Sequence, residues 1–299
     1  MTRGRLIRNN LMTGIFSVAG WVAIVFIFLI FIFTFKETAT VLNGHSMRAF
    51  FMADPPVWQP TSEVPKLSLI PIILGTLKAT VVGMLFACPI GVAAALFSSE
   101  FAPARLREVI KPVIELLAGI PSVVMGFFAL IVLATWLQNA FGFTYRLNAI
   151  NAGLALGFAL VPIVYTISED GLAAVPRAYR EASFALGATR FQTAWKVVLP
   201  AAAPAVFASF VLAFGRAVGE TMILLMAGGN AAIASISLLD PLRTLSATIA
   251  AEMGEVVVGS EHYAALFFMG TLLFVITFVS NSLGQWVIGG MRRRMQGTA

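Results

Sequence analysis

The sequence predicts an all-α polytopic membrane protein with six transmembrane helices, and three observations predict it. Hydrophobic residues fill 59% of the 299 positions and charged residues only 11%, outside the balance of an ordinary soluble domain. Six predominantly apolar stretches, 12–35, 69–98, 112–137, 149–168, 201–228 and 263–289, approach or exceed the roughly 20 residues a helix needs to cross a bilayer. Lys and Arg are divided unequally between alternate connections, as membrane orientation requires.

Residues 1–11 form a basic N-terminal segment with Arg3, Arg5 and Arg8. The first span, 12–35, has too long an apolar region for a signal peptide and no A-x-A site after it. The connection 36–68 contains "ADPPVWQPTSEVPK", whose four prolines favour an ordered, extended external loop over a helix. Residues 69–289 then hold five spans and a polar loop at 169–200, and 290–299 is a basic tail with Arg292, Arg293 and Arg294. No internal repeat stands out.

The N-terminal arginines, Arg105, Arg107 and Lys111, Arg177, Arg180, Arg190 and Lys196, and the basic tail all fall on one side. Lys36, Arg48, Lys66, Arg146 and Arg243 fall on the other, offset by Glu37, Asp54, Glu63, Asp240, Glu252 and Glu255. The positive-inside rule therefore predicts both termini in the cytoplasm. The net charge of +6 is read as this orientation signal rather than as a nucleic-acid footprint. Cys88 has no partner for a disulfide, and His45 and His262 lack neighbouring ligands, which argues against a metal site.

The polar loop contains "REASFALGATRFQTAWKVVLP". It is rich enough in helix formers for two short helices, with Gly187 at the turn. Tyr179, Ala182 and Leu186 share one helical face, and Phe191, Ala194, Trp195 and Val198 share another. Arg180, Glu181, Arg190 and Lys196 are expected in water or against a partner. One reading is an interfacial helix resting at the headgroups.

Inside the fifth span, "AFGRAVGETMILLMAGG" places Arg216 and Glu220 four residues apart, on one helical face deep within an apolar segment. Ionisable groups there cost at least about 2.5 kcal/mol each on insertion scales. They read either as an intrahelical ion pair or as a fixed cation lining an anion's route, with arginine's planar donors suited to phosphate or carboxylate. Glu115 is expected to pair with Lys111 one turn earlier. Gly119, Pro121 and Gly126 interrupt the third stretch, and Lys78 is expected to snorkel to the outer interface.

The order Glu181-Ala182-Ser183, three residues, Gly187, nine residues, Val197, one residue, Leu199-Pro200 resembles the EAA loop of membrane subunits of binding-protein-dependent ABC importers. Ser183 and Val197 depart from the pattern by small changes in size. Further segments resemble the phosphate-specific transport (Pst) branch, in its PstC-type permease subunit: Pro71 with Gly75-Thr76-Leu77, "ELLAGIPSVVMGFFAL", "GRAVGETMILLMAGGN" and "LFVITFVSNS".

The resemblance implies a type I, MetI-like permease fold in which the loop is a coupling helix in a groove of a separate ATPase. Glu181, Ala182, Phe184, Gly187, Leu199 and Pro200 are its coupling candidates, with Phe184 as anchor. It also implies a PstA-type permease, two PstB-type ATPases that bind ATP and Mg, and a PstS-type phosphate-binding protein, in a bacterial inner membrane. Arg216 and Glu220 become the candidates for the phosphate path. With no G-x-x-x-x-G-K-[ST] stretch, the chain is expected to hold no cofactor and to hydrolyse no ATP by itself. A permease for sulfate or molybdate, a proton-coupled anion transporter and a membrane scaffold are the competing readings.

Overall fold

The computed structural model describes residues 3–44 and 47–295, and the chain is almost wholly helical. Among the described residues five helices are long and apolar enough to cross a membrane, and the fifth span makes six when the bent pair Arg190–Ala201 and Ala203–Gly219 is counted as one. Apolar helices satisfy their own backbone groups, which is why a hydrocarbon solvent admits them.

The core is the pairing of the second span, Ile70–Leu96, with the fourth, Ala149–Ala173. Ala79, Gly83, Ala87, Gly91 and Ala95 recur every fourth residue along the second span, so one face of that helix carries only small side chains. Gly153 and Gly157 answer them from the fourth. A Cβ built on Gly153 would lie 2.4 Å from Val82 Cβ, and one on Gly91 would lie 2.7 Å from Val164 Cβ. Small residues let membrane helices approach until dispersion holds them. The fifth span packs on the fourth at Gly171, where a Cβ would meet Ala205 Cβ at 2.2 Å.

The first span, within Arg3–Gly44, touches mainly the sixth, Glu261–Met295. Phe31 meets Phe274 edge-on at 4.3 Å between ring centroids, and Thr38 and Thr271 share a hydrogen bond of 2.8 Å. Its residues from Leu11 to Ile30 are exposed and, apart from Thr13 and Ser17, apolar, a surface that lipid or another membrane protein must cover.

Several boundaries differ from those expected. Helix extends to Gly44, past 35, and the proline-rich connection follows as the short helix Met47–Phe51 and an antiparallel ribbon pairing Trp58 with Leu67. Helix thus occupies part of the connection ahead of its prolines and ends at Phe51, and from Pro55 onward the ring chemistry disfavours it. The stretch 112–137 is two elements: an amphipathic helix, Ala104–Ala118, and a span over Ser122–Phe141. Pro121, which lacks an N–H, adopts an extended conformation between them and ends helical continuity. The stretch 201–228 is likewise not one helix. Ala203–Gly219 stops at Glu220, whose ψ of 131° is extended, and a short helix Met222–Ala227 resumes.

At the end of the bundle that carries the ribbon, Glu252 gathers three donors. Trp58 Nε1 gives to both carboxylate oxygens at 3.2 Å, Arg243 Nη1 lies 2.6 Å away and His262 Nε2 lies 2.7 Å away. These groups line a cavity of about 530 Å³ together with Asn230 and Glu255. Lys78, expected at the interface, is buried instead and donates to the Ser237 carbonyl at 3.0 Å, because the loop 228–244 folds back over it. His45 lies outside the described residues. Among the described residues no three His, Cys, Asp or Glu side chains could hold a metal ion.

Candidate functional site: the loop between spans four and five

Two short helices form here, as the residue pattern predicts. Arg177–Ala185 follows Pro176, and Gly187 turns the chain with φ 79°, a left-handed conformation that glycine adopts at little cost. Thr189 starts the next helix, Arg190–Thr193, with a capping box: its hydroxyl accepts from Gln192 N, and Gln192 Oε1 accepts from Thr189 N. A π-turn, Ala194–Val198, and Leu199–Ala201 then lead into the fifth span through a bend of 66°.

The two helices are tied by a buried hydrogen bond of 2.9 Å between the Ser183 and Thr193 hydroxyls. Ser183, a departure from the E-A-A pattern, is thus one half of an internal fastening that alanine could not make. Ala194 and Val198 are buried beside it.

Tyr179, Ala182 and Leu186, which share a helical face, all lie outward, as do Glu181 and Phe184. The inward face is formed by Ser183 and Arg180 instead. Phe191 and Trp195 also point outward, and Leu186 is 89% exposed. Leu199 is half-buried and Pro200 exposed at the entry to the fifth span. Arg180 does not stand in water: it pairs with Glu100 at the end of the second span. Lys111 reaches Glu169 at 3.3 Å and Asp170 at 3.2 Å rather than Glu115, which is exposed. The hydrogen bond that Lys111 donates to Asp170, with a second to Glu169, raises the Lys111 pKa against a smaller opposing effect of burial.

The second candidate pair is separated by the structure. Because the helix ends at Gly219, Arg216 and Glu220 do not share a helical face and form no ion pair. Glu220 is buried; its Oε1 accepts from Ile223 N at 3.4 Å, and its backbone carbonyl accepts from the Ser246 hydroxyl at 2.6 Å. It anchors the short helix after the break. Arg216 is exposed and makes no hydrogen bond or ion pair with the described residues. It stands about 20 Å along the helix axis from Ala203, on the same face as exposed Leu212 and Gly219.

Residue-by-residue reading missed Glu100, the Ser183–Thr193 bond and the cluster around Glu252. Glu100 was the findable one: it is a carboxylate standing where a span meets the arginine-rich end of the bundle.

The arrangement defines a class of protein: a six-span helical membrane protein whose polar loop is a rigid helix–turn–helix carrying aromatic side chains on its outer surface. The binding-protein-dependent transport system inner membrane component model matches residues 79–293, and the chain belongs to that family of permease subunits. It is 40% identical over 74% of its length, and 72% of the relative's, to a probable ABC transporter permease protein YqgH of Bacillus subtilis. It is 32% identical over 77% of its length, and 76% of the relative's, to the phosphate transport system permease protein PstC of Mesorhizobium japonicum. Against the PstC of Xylella fastidiosa strain 9a5c it is 33% identical over 74% of its length and 73% of the relative's.

Among solved structures, an alginate ABC transporter superposes with a TM-score of 0.62 at 16% identity, covering 97% of this chain and 98% of that one. An inward-facing MetNI methionine ABC transporter superposes with a TM-score of 0.60 at 19% identity, covering 75% of this chain and 95% of that one. Both share the MetI-like importer fold predicted from the loop.

Proposed function

We propose that the chain is the transmembrane permease subunit of an ATP-driven, binding-protein-dependent importer of inorganic phosphate. The observation that carries the transport mechanism is the outward apolar surface of the loop: Tyr179, Phe184, Leu186, Phe191 and Trp195 are all exposed on a unit fastened from within. A rigid helix with exposed anchors suits recognition in a groove. The partner is a separate ATPase that binds ATP and Mg, with Phe184 inserted and Glu181, Ala182, Gly187, Leu199 and Pro200 shaping the contact. The choice of phosphate is supported by the PstC relatives.

Arg216 carries the reading of the path. An unpaired guanidinium on the surface of an apolar span is costly against lipid, so this face belongs against a second permease of PstA type, across a hydrated route. Its planar donors match phosphate oxygens there. Glu220 contributes by holding the backbone break that follows Arg216. A PstS-type protein delivers phosphate at the ribbon end, and two PstB-type ATPases bind at the loop end. The basic residues Arg105, Arg107, Lys111, Arg177, Arg190 and Lys196 lie at that loop end, which supports a cytoplasmic location for it and for both termini in a bacterial inner membrane.

The test is uptake of labelled phosphate at low concentration in cells with and without the chain, with excess sulfate and with a protonophore under maintained ATP. Loss of sulfate-resistant, protonophore-resistant uptake without the chain is the expected result. Uptake abolished by sulfate would make the cargo another oxyanion, and uptake abolished by the protonophore would make the driving force a proton gradient.

A further inference from the structure

The second span ends in a π-turn, Phe97–Phe101, and four side chains from elsewhere in the sequence converge on it. Arg180 Nε donates to Glu100 Oε2 at 3.1 Å and its Nη2 to Oε1 at 2.6 Å, a two-point pairing of planar groups. The same guanidinium donates to the Leu172 carbonyl at 3.0 Å and the Val175 carbonyl at 2.7 Å, which lie at and just beyond the end of the fourth span. Ser99 Oγ completes Glu100 at 3.0 Å. Arg107 donates to the Ser98 and Ser99 carbonyls, Tyr165 OH to Ser98 Oγ at 2.9 Å, and the Arg190 guanidinium lies 5.6 Å from the centre of the Phe101 ring.

The Glu100 side chain is 9% exposed and that of Arg180 19%. Neither is an ordinary surface charge, and a shielded pair with this many partners has one well-defined geometry. It joins three bodies: the first helix of the loop, the end of the fourth span and the end of the second. The covalent path from the loop runs forward only into the fifth span, through the bend at Ala202. The second span has no covalent connection to the loop, yet it forms the other half of the core.

We propose that Glu100 and Arg180 are positioning residues for transport: their bridge makes the second span move with the loop, so that a displacement imposed at the loop reaches the core helix pair as well as the fifth span. π-turns recur at functional positions because the extra residue leaves carbonyls free for outside partners, and Ser98 and Ser99 use theirs in this way. The proposal rests on the reading that an ATPase displaces the loop.

The experiment uses the assembled complex, with both permeases, the ATPases and the binding protein, reconstituted in vesicles and supplied with ATP, Mg and labelled phosphate. Glu100→Gln keeps the size and the carbonyl contacts of Arg180 while removing the charge. The expected result is normal assembly and ATP hydrolysis within about twofold of wild type, while phosphate transported per ATP falls about tenfold. Arg180→Lys keeps the charge and loses the planar pairing, and is expected to lower the same ratio. The double variant is expected to be no worse than the poorer single one, as for two groups acting as a unit. Lys111→Gln, which breaks a more exposed pair at the same end, is the control and leaves the ratio unchanged.

An unchanged ratio in Glu100→Gln would overturn the proposal, as would hydrolysis and transport falling in parallel. If Glu100→Gln fails to assemble, Arg180→Lys decides by the same ratio. A wild-type chain that binds no ATPase would overturn the underlying reading and this inference with it, a result distinct from a coupled wild type with indifferent variants.

Discussion

Gly153→Ala tests the close approach of the second and fourth spans. The added Cβ would lie 2.4 Å from Val82 Cβ and 3.3 Å from the Ala79 carbonyl oxygen. Carbon atoms settle at about 3.5–4.0 Å, so the helices must part by roughly 1 Å or more at this level. Val82 cannot relieve the contact by changing rotamer, because its Cβ is fixed to the backbone. Overpacking of this kind costs about 1–3 kcal/mol, whereas alanine returns at most about 1 kcal/mol of helix propensity over glycine. Because the clash is with a fixed Cβ, the cost falls in the upper part of that range, about 2–3 kcal/mol, and the balance is a loss of roughly 1–2 kcal/mol. Reversible unfolding of the purified chain in mixed micelles, followed by Trp fluorescence, measures it. Gly270→Ala in the sixth span, where a Cβ meets nothing within 4 Å, is the control and should be neutral or slightly stabilising. Adding Val82→Gly to Gly153→Ala should recover part of the loss by moving the small side of the contact to the other helix. A Gly153→Ala chain as stable as wild type would refute the packing argument.

Other substitutions address the loop and the path. Gly187→Asp should leave the chain inserted but abolish stimulation of the ATPase; the turn pays about 1–2 kcal/mol for a left-handed side chain, and a new charge enters the apolar docking surface. Stimulation at the wild-type level would defeat the coupling reading. Arg216→Gln should lower phosphate uptake severalfold while stability stays within about 0.5 kcal/mol, since Arg216 has no partner among the described residues, and a complex that falls apart on purification would show the residue to be structural. Glu220→Ala should lose about 1 kcal/mol through its missing backbone contact, whereas Glu220→Gln, whose oxygen can still accept from Ile223 N, should unfold close to wild type; equal effects would refute the anchoring role.

The sixfold apolar pattern and the polar loop were legible because both are local. A bilayer admits only segments that satisfy their own backbone, so each span announces itself over some 20 residues, and the loop's turn and caps rest on Gly187, Thr189 and Gln192 within a few positions of one another. The shared helical face expected of Arg216 and Glu220 failed for the opposite reason. Spacing of four implies a shared face only where the helix continues, and nothing in "RAVGET" announces that it stops at Gly219. The break is held by Ser246, 26 residues away.

The sequence by itself determined the class of protein, the number of spans, the spacing of the loop and, along the second span, a small residue at every fourth position whose meaning was open to inspection. The tertiary structure decided which charges meet. Glu100 finds Arg180 at a separation of 80 residues, Lys111 leaves Glu115 for Glu169 and Asp170 at separations of 58 and 59, and Lys78 is covered by the loop at Ser237, 159 residues on. Each outcome depends on which helix ends lie side by side. That is fixed by how closely the glycine faces let the helices pack, a property of two surfaces together that neither segment carries alone.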